Sequence, residues 1–152
     1  MLWLRLIHIL AGVFWAGSVM FTAFILLPTV RVVGPGAGAL MSRLGPRIGP
    51  VMGIVALANV ISGVAMFVVL GPAVGGLRGM TLGMGSFAAL LALVGGTAIS
   101  MPAAIRVKKL NPAIPEQASE IQRLNNRNAM GARFAAWLLV IATGAMAIAR
   151  YV

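Results

Sequence analysis

The sequence has no cysteine, only two carboxylate side chains (Glu116 and Glu120) and a single histidine, His8. The missing cysteines exclude disulfides, thiolate metal sites and thiol redox chemistry. So few acids and imidazoles leave no set of side chains for acid–base or nucleophilic catalysis without a cofactor. Charged residues form 9% of the chain, against about a quarter in a typical soluble domain, so the composition argues against a soluble protein.

Long apolar runs make up most of the sequence. Hydrophobic residues make up 61% of the chain and the mean hydropathy is +1.01. Four stretches contain no Lys, Arg, Asp or Glu: 6–30, 48–77, 79–105 and 134–149. A helix needs roughly 20 apolar residues to cross about 30 Å of hydrocarbon, and these runs lack the alternation of barrel strands. The sequence therefore predicts transmembrane helices.

We predict an all-α polytopic membrane protein, a four-helix bundle that forms one transmembrane domain over residues 1–152. The helices are expected near residues 3–29, 49–70, 81–105 and 130–150. The apolar part of the first is longer than the ~7–15 residues of a signal-peptide core, so we expect it to be retained as a membrane helix.

The two long connections, 31–48 and 106–129, differ in character. The first is rich in Gly and Pro and is expected to be a loop with at most a short turn near residues 39–44. Within the second, Pro115–Asn128 is predicted to be helical, with Pro at its start, acidic residues early and arginines late.

Basic residues predict the orientation. Nine lie in the two long connections and at their edges: Arg31, Arg43, Arg47, Arg106, Lys108, Lys109, Arg123, Arg127 and Arg133. Three lie toward the other side: Arg5, Arg78 and Arg150. The positive-inside rule then places both connections in the cytoplasm and both termini outside, in a multi-pass protein of the cytoplasmic (inner) membrane.

The two halves of the chain share an R-L-x-x-R element, Arg43–Arg47 in the first and Arg123–Arg127 in the second. Together with the matching ends of the first and third spans, it predicts two hairpins related as parallel repeats. The alternative is that any two membrane hairpins share basic inner turns and glycine-rich interfaces.

Small residues at helical spacing predict the contact faces, since helices in lipid associate through close packing and polar contacts. In the second span the face contains Ala56, Asn59 and Gly63; the third and fourth spans offer Ala89, Ala92, Gly96 and Ser100, and Trp137, Val140, Gly144 and Ala147. For Asn59 we expect a hydrogen bond between helices, with a ligand or ion contact as the alternative.

One face of the first span carries Arg5, His8, Gly12 and Trp15. Spacings of three and four residues place them together on a helix. A neutral imidazole can ligate haem iron or copper, or hydrogen-bond a quinone. His8, Arg5 and Trp15 are therefore candidate cofactor-binding residues. The alternative is an interfacial histidine that reaches water or bonds to a neighbouring helix.

The segment His8–Gly17, with the pattern H-x-x-x-x-x-x-W-x-G, resembles the opening signature of CopD-like membrane proteins, and HemJ-type protoporphyrinogen oxidases open in a similar way. Shorter segments in or beside the other spans also resemble these proteins. The resemblance implies a four-helix core with either copper handling or haem-dependent porphyrin oxidation. The chain departs from HemJ-type proteins in having no further histidine in its later helices, and from CopD-type transporters in having fewer His and Met residues.

Methionine is the other ligand type available. Met84 and Met146 are expected near the outer ends of their helices, at a depth close to that of His8, and a thioether suits Cu(I) or haem iron. They are therefore candidate metal ligands with His8, and the alternative is that they fill gaps in apolar packing. Two copies of His8 in a homodimer are another route to a haem b site.

The inner basic residues Arg43, Arg47, Arg106, Arg123 and Arg127 are candidates for binding anionic lipid headgroups or an anionic ligand. Nucleic-acid binding is not expected, because there is no soluble basic domain or aromatic platform. The leading hypothesis is a redox-active centre, haem b or copper, bound through His8 in electron transfer, porphyrin handling or copper traffic. The alternative is a non-catalytic subunit of a larger membrane complex. We lean against an enzyme; if it is one, the expected class is a haem-dependent membrane oxidoreductase.

Overall fold

The computed structural model describes residues 2–34, 36–70, 75–111 and 114–152. Nearly all of these residues are helical, and none of them forms a strand. We number the helices α1 to α4, and their bounds are Leu2–Val33, Gly36–Leu70, Gly76–Val107 and Pro115–Ile148. Each contains a stretch long and apolar enough to cross a membrane. The prediction of an all-helical chain with four helices long and apolar enough to span a membrane is confirmed.

Helix α1 changes its winding beside a proline. It consists of an α-helical part, one π-helical turn and a second α-helical part, Leu2–Phe21, Thr22–Leu26 and Leu27–Val33. Pro28 has no N–H, and its ring would clash with a carbonyl four residues earlier in a regular α-helix. The wider π turn comes just before this proline, and the Thr29 hydroxyl donates to the Ile25 carbonyl at 2.8 Å. The helix therefore continues past Pro28.

Helix α2 begins at Gly36, so the prediction of a loop over most of residues 31–48 was wrong. Pro46 and Pro50 lie inside the helix. The Gly- and Pro-rich composition of this segment predicted a loop because proline removes a helical hydrogen bond, yet proline's fixed φ is itself helical. The break from α1 is instead at Gly34, whose φ of +66° lies in the left-handed region that favours glycine.

Helix α4 is one continuous helix of 34 residues. The sequence predicted two elements here, Pro115–Asn128 outside the membrane and a span near 130–150. Both are helical, and no proline or turn separates them, so they join end to end. At 1.5 Å per residue the helix is about 51 Å long, well beyond the ~30 Å hydrocarbon layer.

The helices pair as two hairpins. In the first hairpin α1 packs along α2, and in the second α3 packs along α4; the two hairpins meet mainly where α1 contacts α4. One end of the bundle holds the α1–α2 and α3–α4 connections, and we call it the basic end. The other end holds both chain termini, and we call it the terminal end.

The core is built from small side chains. Its buried members are Trp15, Ala16, Ala56, Ala88, Ala89, Ala92, Ala135, Leu139 and Ala142. Most of the large apolar side chains lie on the outside instead. In lipid this arrangement costs little, and small residues bring helix backbones close enough for dispersion forces to hold them.

The predicted contact faces are confirmed in α2 and α3 but not in α4. Ala56 and Asn59 in α2, and Ala89 and Ala92 in α3, are buried. In α4 the prediction was wrong for Val140, which is exposed, and for Gly144, since nothing lies within 4 Å of a Cβ placed on it. Trp137 is also largely exposed, although its ring meets that of Phe24 in α1 edge-on, with the centroids 5.7 Å apart. That prediction chose the helix face that carries Trp137 and Gly144. The core of the bundle instead contains Ala135, Leu139 and Ala142, which lie on a different face of α4.

Candidate functional site

The only histidine lies in a polar cluster between α1 and α2, near the terminal end. Nδ1 of His8 is 2.9 Å from the carbonyl oxygen of Asn59 and 3.3 Å from Oγ of Ser62. The side-chain amide of Asn59 donates in return to the carbonyl oxygen of His8, at 2.8 Å. Each helix therefore supplies one side chain that bonds the backbone of the other, and we call this arrangement the His8–Asn59 clamp.

Two glycines make room for the clamp. A Cβ placed on Gly12 would lie 2.7 Å from Nδ2 of Asn59, and one on Gly63 would lie 2.9 Å from Cε1 of His8. Gly12 follows His8 by four residues and Gly63 follows Asn59 by four, so each glycine is one turn beyond its helix's polar residue. Each polar side chain lies on the glycine of the opposite helix, where no side chain blocks it.

The hydrogen bonds define how the imidazole is oriented. The carbonyl oxygen of Asn59 can only accept, so Nδ1 of His8 carries the hydrogen and donates it. In the neutral ring Nε2 then has a free lone pair, and within the described residues Nε2 has no hydrogen-bond partner. Asn59 and Ser62 are both buried, with 6% and 4% of their surface exposed. The ring is thus held from one side only.

The other predicted cofactor residues of α1 lie apart from the clamp. Trp15 is 5% exposed and packs in the alanine-rich core. It lies two helical turns, about 10 Å, along α1 from His8. The Arg5 side chain is exposed, one turn from His8 on the other side. Trp15 therefore acts in packing between the hairpins, and Arg5 lies at the edge of the candidate site.

The predicted methionine ligands belong to the second hairpin. Met84 is 65% exposed on the outside of α3. Met146 packs toward α3, where its Cγ would lie 3.3 Å from a Cβ on Gly85. Among the described residues, no three His, Cys, Asp or Glu side chains are grouped as a metal site requires. The strongest single donor is Nε2 of His8.

The predicted anion-binding arginines lie toward the basic end and line two grooves. Arg123 and Arg127 line a groove between α3 and α4, and Arg47 lines another between α1 and α2. Arg43 and Arg106 are exposed on α2 and α3. Nη2 of Arg31 donates to Oδ1 of Asn126 at 3.1 Å, which links the end of α1 to α4. No pattern in the sequence predicts that last contact.

The hydrogen bonds between His8 and Asn59 were not predicted either, although each residue is a candidate from the sequence alone. The available signal was the matched spacing, a polar residue followed four positions later by glycine in each of the first two spans.

No protein-family model, curated protein or solved structure matches the chain. The resemblance to CopD-like proteins stays a prediction that rests on the residues of the first span.

Proposed function

We propose that the chain is a multi-pass protein of the cytoplasmic membrane with both termini outside and its two hairpins related as parallel repeats. The support is the distribution of charge: nine of its basic residues flank the two connections at the basic end, as expected for a cytoplasmic face. The R-L-x-x-R elements of α2 and α4 both lie toward this end.

Within this frame, we propose that His8 would hold a haem b through Nε2. The observation that carries the proposal is the hydrogen bond from Nδ1 to the Asn59 carbonyl at 2.9 Å. Histidines that ligate metals through one nitrogen commonly donate the other N–H to a carbonyl or carboxylate, which sets the tautomer and the ring orientation. The clamp supplies this arrangement without any metal.

Haem fits the donors of this chain better than copper does. One neutral imidazole is a complete proximal ligand for haem iron, whereas copper sites are built from several nitrogen or sulfur ligands. Met84 points outward from α3, and Met146 packs at Gly85. Copper traffic therefore has less support than electron transfer or porphyrin handling. A bound haem would supply one-electron redox chemistry, and a second copy of the chain could contribute its own His8.

The protein's residues have separate roles in this proposal. The backbone of Asn59 holds the Nδ1 hydrogen, and the Asn59 side chain fixes α1 against α2 through the His8 carbonyl. Gly63 leaves space for the ring. Because the side chains of Asn59 and Ser62 are buried, water has little access to them, and the hydrogen bond of Nδ1 sets the direction of Nε2 before any ligand binds.

The test is the absorption spectrum of protein made with an ample haem supply and purified in mild detergent. We expect a Soret band in the wild type and its loss in His8→Ala, because that variant has no other imidazole. Thr97→Ala is the control, since the Thr97 hydroxyl bonds only within α3, and it should keep the band. Folded wild type without a Soret band would overturn the proposal, as would an unchanged band in His8→Ala.

A second candidate function is that of a non-catalytic subunit in a larger membrane complex. It is favoured by one face of α2, where Gly45, Gly49 and Gly53 are exposed and nothing lies within 4 Å of their Cβ positions. Glycines spaced by four residues typify close helix contacts in membranes. Purification in native detergent should then recover stoichiometric partners, whereas a small assembly of this chain alone would count against it.

A further inference from the structure

A groove between α3 and α4 combines charge at one end with apolar side chains at the other. It has a volume of about 540 Å³ and lies toward the basic end. Its lining residues are Ile99, Arg123, Asn126, Arg127, Met130, Gly131 and Phe134. Arg123 and Arg127 are one helical turn apart on α4, so both guanidinium groups can reach one ligand.

The cations at the mouth of this groove have no carboxylate partner. Arg31 joins them through its 3.1 Å hydrogen bond to Oδ1 of Asn126, which lies between the other two in sequence. Over the part of the chain that the structure describes, Arg31, Arg123 and Arg127 form no ion pair, although Glu120 precedes Arg123 by only three residues. Three like charges gathered without a counter-charge favour an anion.

The floor of the groove is apolar and faces outward. Met130 and Phe134 are exposed, at 71% and 55% of their surfaces. They lie one and two turns beyond Arg127 along α4, in the direction of the apolar span. Gly131 lies against Ile99, where an added Cβ would be 2.8 Å from Cγ2. The close approach of α3 and α4 there gives the groove its base.

From this arrangement we infer that the groove binds one anionic phospholipid. The phosphate lies among Arg123, Arg127 and Arg31, and an acyl chain lies along Met130 and Phe134. A free anion would use the arginines but leave the apolar floor uncovered, whereas a phospholipid matches both ends of the groove. The inference does not depend on His8 or on haem.

The experiment measures lipid retention by native mass spectrometry of detergent-purified protein, with phosphatidylglycerol and phosphatidylcholine offered in equal amounts. The wild type should retain one phosphatidylglycerol in preference to phosphatidylcholine. In the double variant Arg123→Gln/Arg127→Gln we expect the affinity for phosphatidylglycerol to fall about twenty-five-fold, about fivefold for each lost charge near the surface. Equal retention of both lipids by the wild type would overturn the inference.

The matched control removes two cations from the terminal end. Arg78→Gln/Arg150→Gln lowers the net charge by the same amount but leaves the groove intact, so its lipid preference should equal that of the wild type. If this control loses the preference to the same extent, net charge and not the groove selects the lipid, and the inference fails.

Two further arms separate a lipid from a free anion and test the floor. Water-soluble glycerophosphoglycerol should not displace the lipid at the same concentration; displacement would mean that the site recognises the headgroup alone. Met130→Ser/Phe134→Ser keeps every charge and should weaken phosphatidylglycerol retention. Undiminished retention in this variant, with an unchanged thermal transition, would contradict the placement of the acyl chain.

Discussion

The two hairpins are held together in different ways. In the first, α1 and α2 meet through the His8–Asn59 clamp, and further toward the basic end Gly17, Gly49 and Gly53 have nothing within 4 Å of their Cβ positions. In the second, atoms of the facing helix lie within 4 Å of the Cβ positions of Gly85, Gly96 and Gly131. The first hairpin thus combines apolar packing with polar bonds near the terminal end, whereas close packing at glycines recurs along the second hairpin.

The two hairpins therefore illustrate two ways in which helices associate in lipid, close packing and hydrogen bonding. Close packing of small residues has to be continuous to be effective, because each contact contributes little. Two partly buried hydrogen bonds join α1 and α2 at one level, and toward the basic end a groove lies between these two helices. The hairpins resemble each other instead at their basic ends, where the second arginine of each R-L-x-x-R element, Arg47 or Arg127, lines a groove.

The largest expected effect comes from breaking the second hairpin. Gly131→Val would place its Cβ 2.8 Å from Cγ2 of Ile99, a branched side chain with little freedom to move. We expect a loss of about 1–3 kcal/mol in the free energy of unfolding, as overpacking typically costs. The measurement is reversible unfolding in detergent.

Gly144→Val is the control for this prediction. It makes the same chemical change in the same helix, where nothing lies within 4 Å of the added Cβ, and it should cost far less. Equal losses in the two variants would show that the substitution itself, and not contact with α3, destabilises α4.

A smaller effect is expected from breaking the first hairpin at its clamp. Asn59→Ala removes the 2.8 Å bond to the His8 carbonyl, and hydrogen bonds between membrane helices contribute about 0.6 kcal/mol, with a maximum near 1.7. Gly12→Ala should cost stability in the wild type, because its Cβ would lie 2.7 Å from Nδ2 of Asn59. In the Asn59→Ala background that cost should disappear. A cost that is the same in both backgrounds would contradict the clamp.

The sequence predicted the number and type of helices because length and hydropathy alone decide which segments can span a bilayer. It failed where local composition or the positions of neighbouring helices decide the structure. Residues 31–48 were expected to form a Gly- and Pro-rich loop, yet α2 begins at Gly36, and the α4 face was placed at Trp137 and Gly144 instead of Leu139. Periodicity identifies residues that share a face, but which face meets a partner depends on the positions of the other helices.

The His8–Asn59 clamp was predictable only in part, for the same reason. His8 and Asn59 could each be selected as polar residues within apolar spans, because such residues need a partner in lipid. That they partner each other depends on the registration of α1 against α2, which hydropathy does not encode. The matched glycines contain this information, since each is needed only if the opposite polar side chain lies on it.

The smallest effect on stability is expected at the exposed glycine face of α2. Gly53→Ala adds a methyl group where nothing lies within 4 Å, so it should leave unfolding unchanged or stabilise α2 by about 0.5–1 kcal/mol, the usual advantage of alanine over glycine within a helix. If the exposed glycine face binds a partner subunit, the bulkier Gly53→Leu should still fold normally but lose that partner during native-detergent purification. Destabilisation of the isolated protein by Gly53→Ala would instead mean that this face of α2 is packed within the protein, and its assignment to a partner would fail.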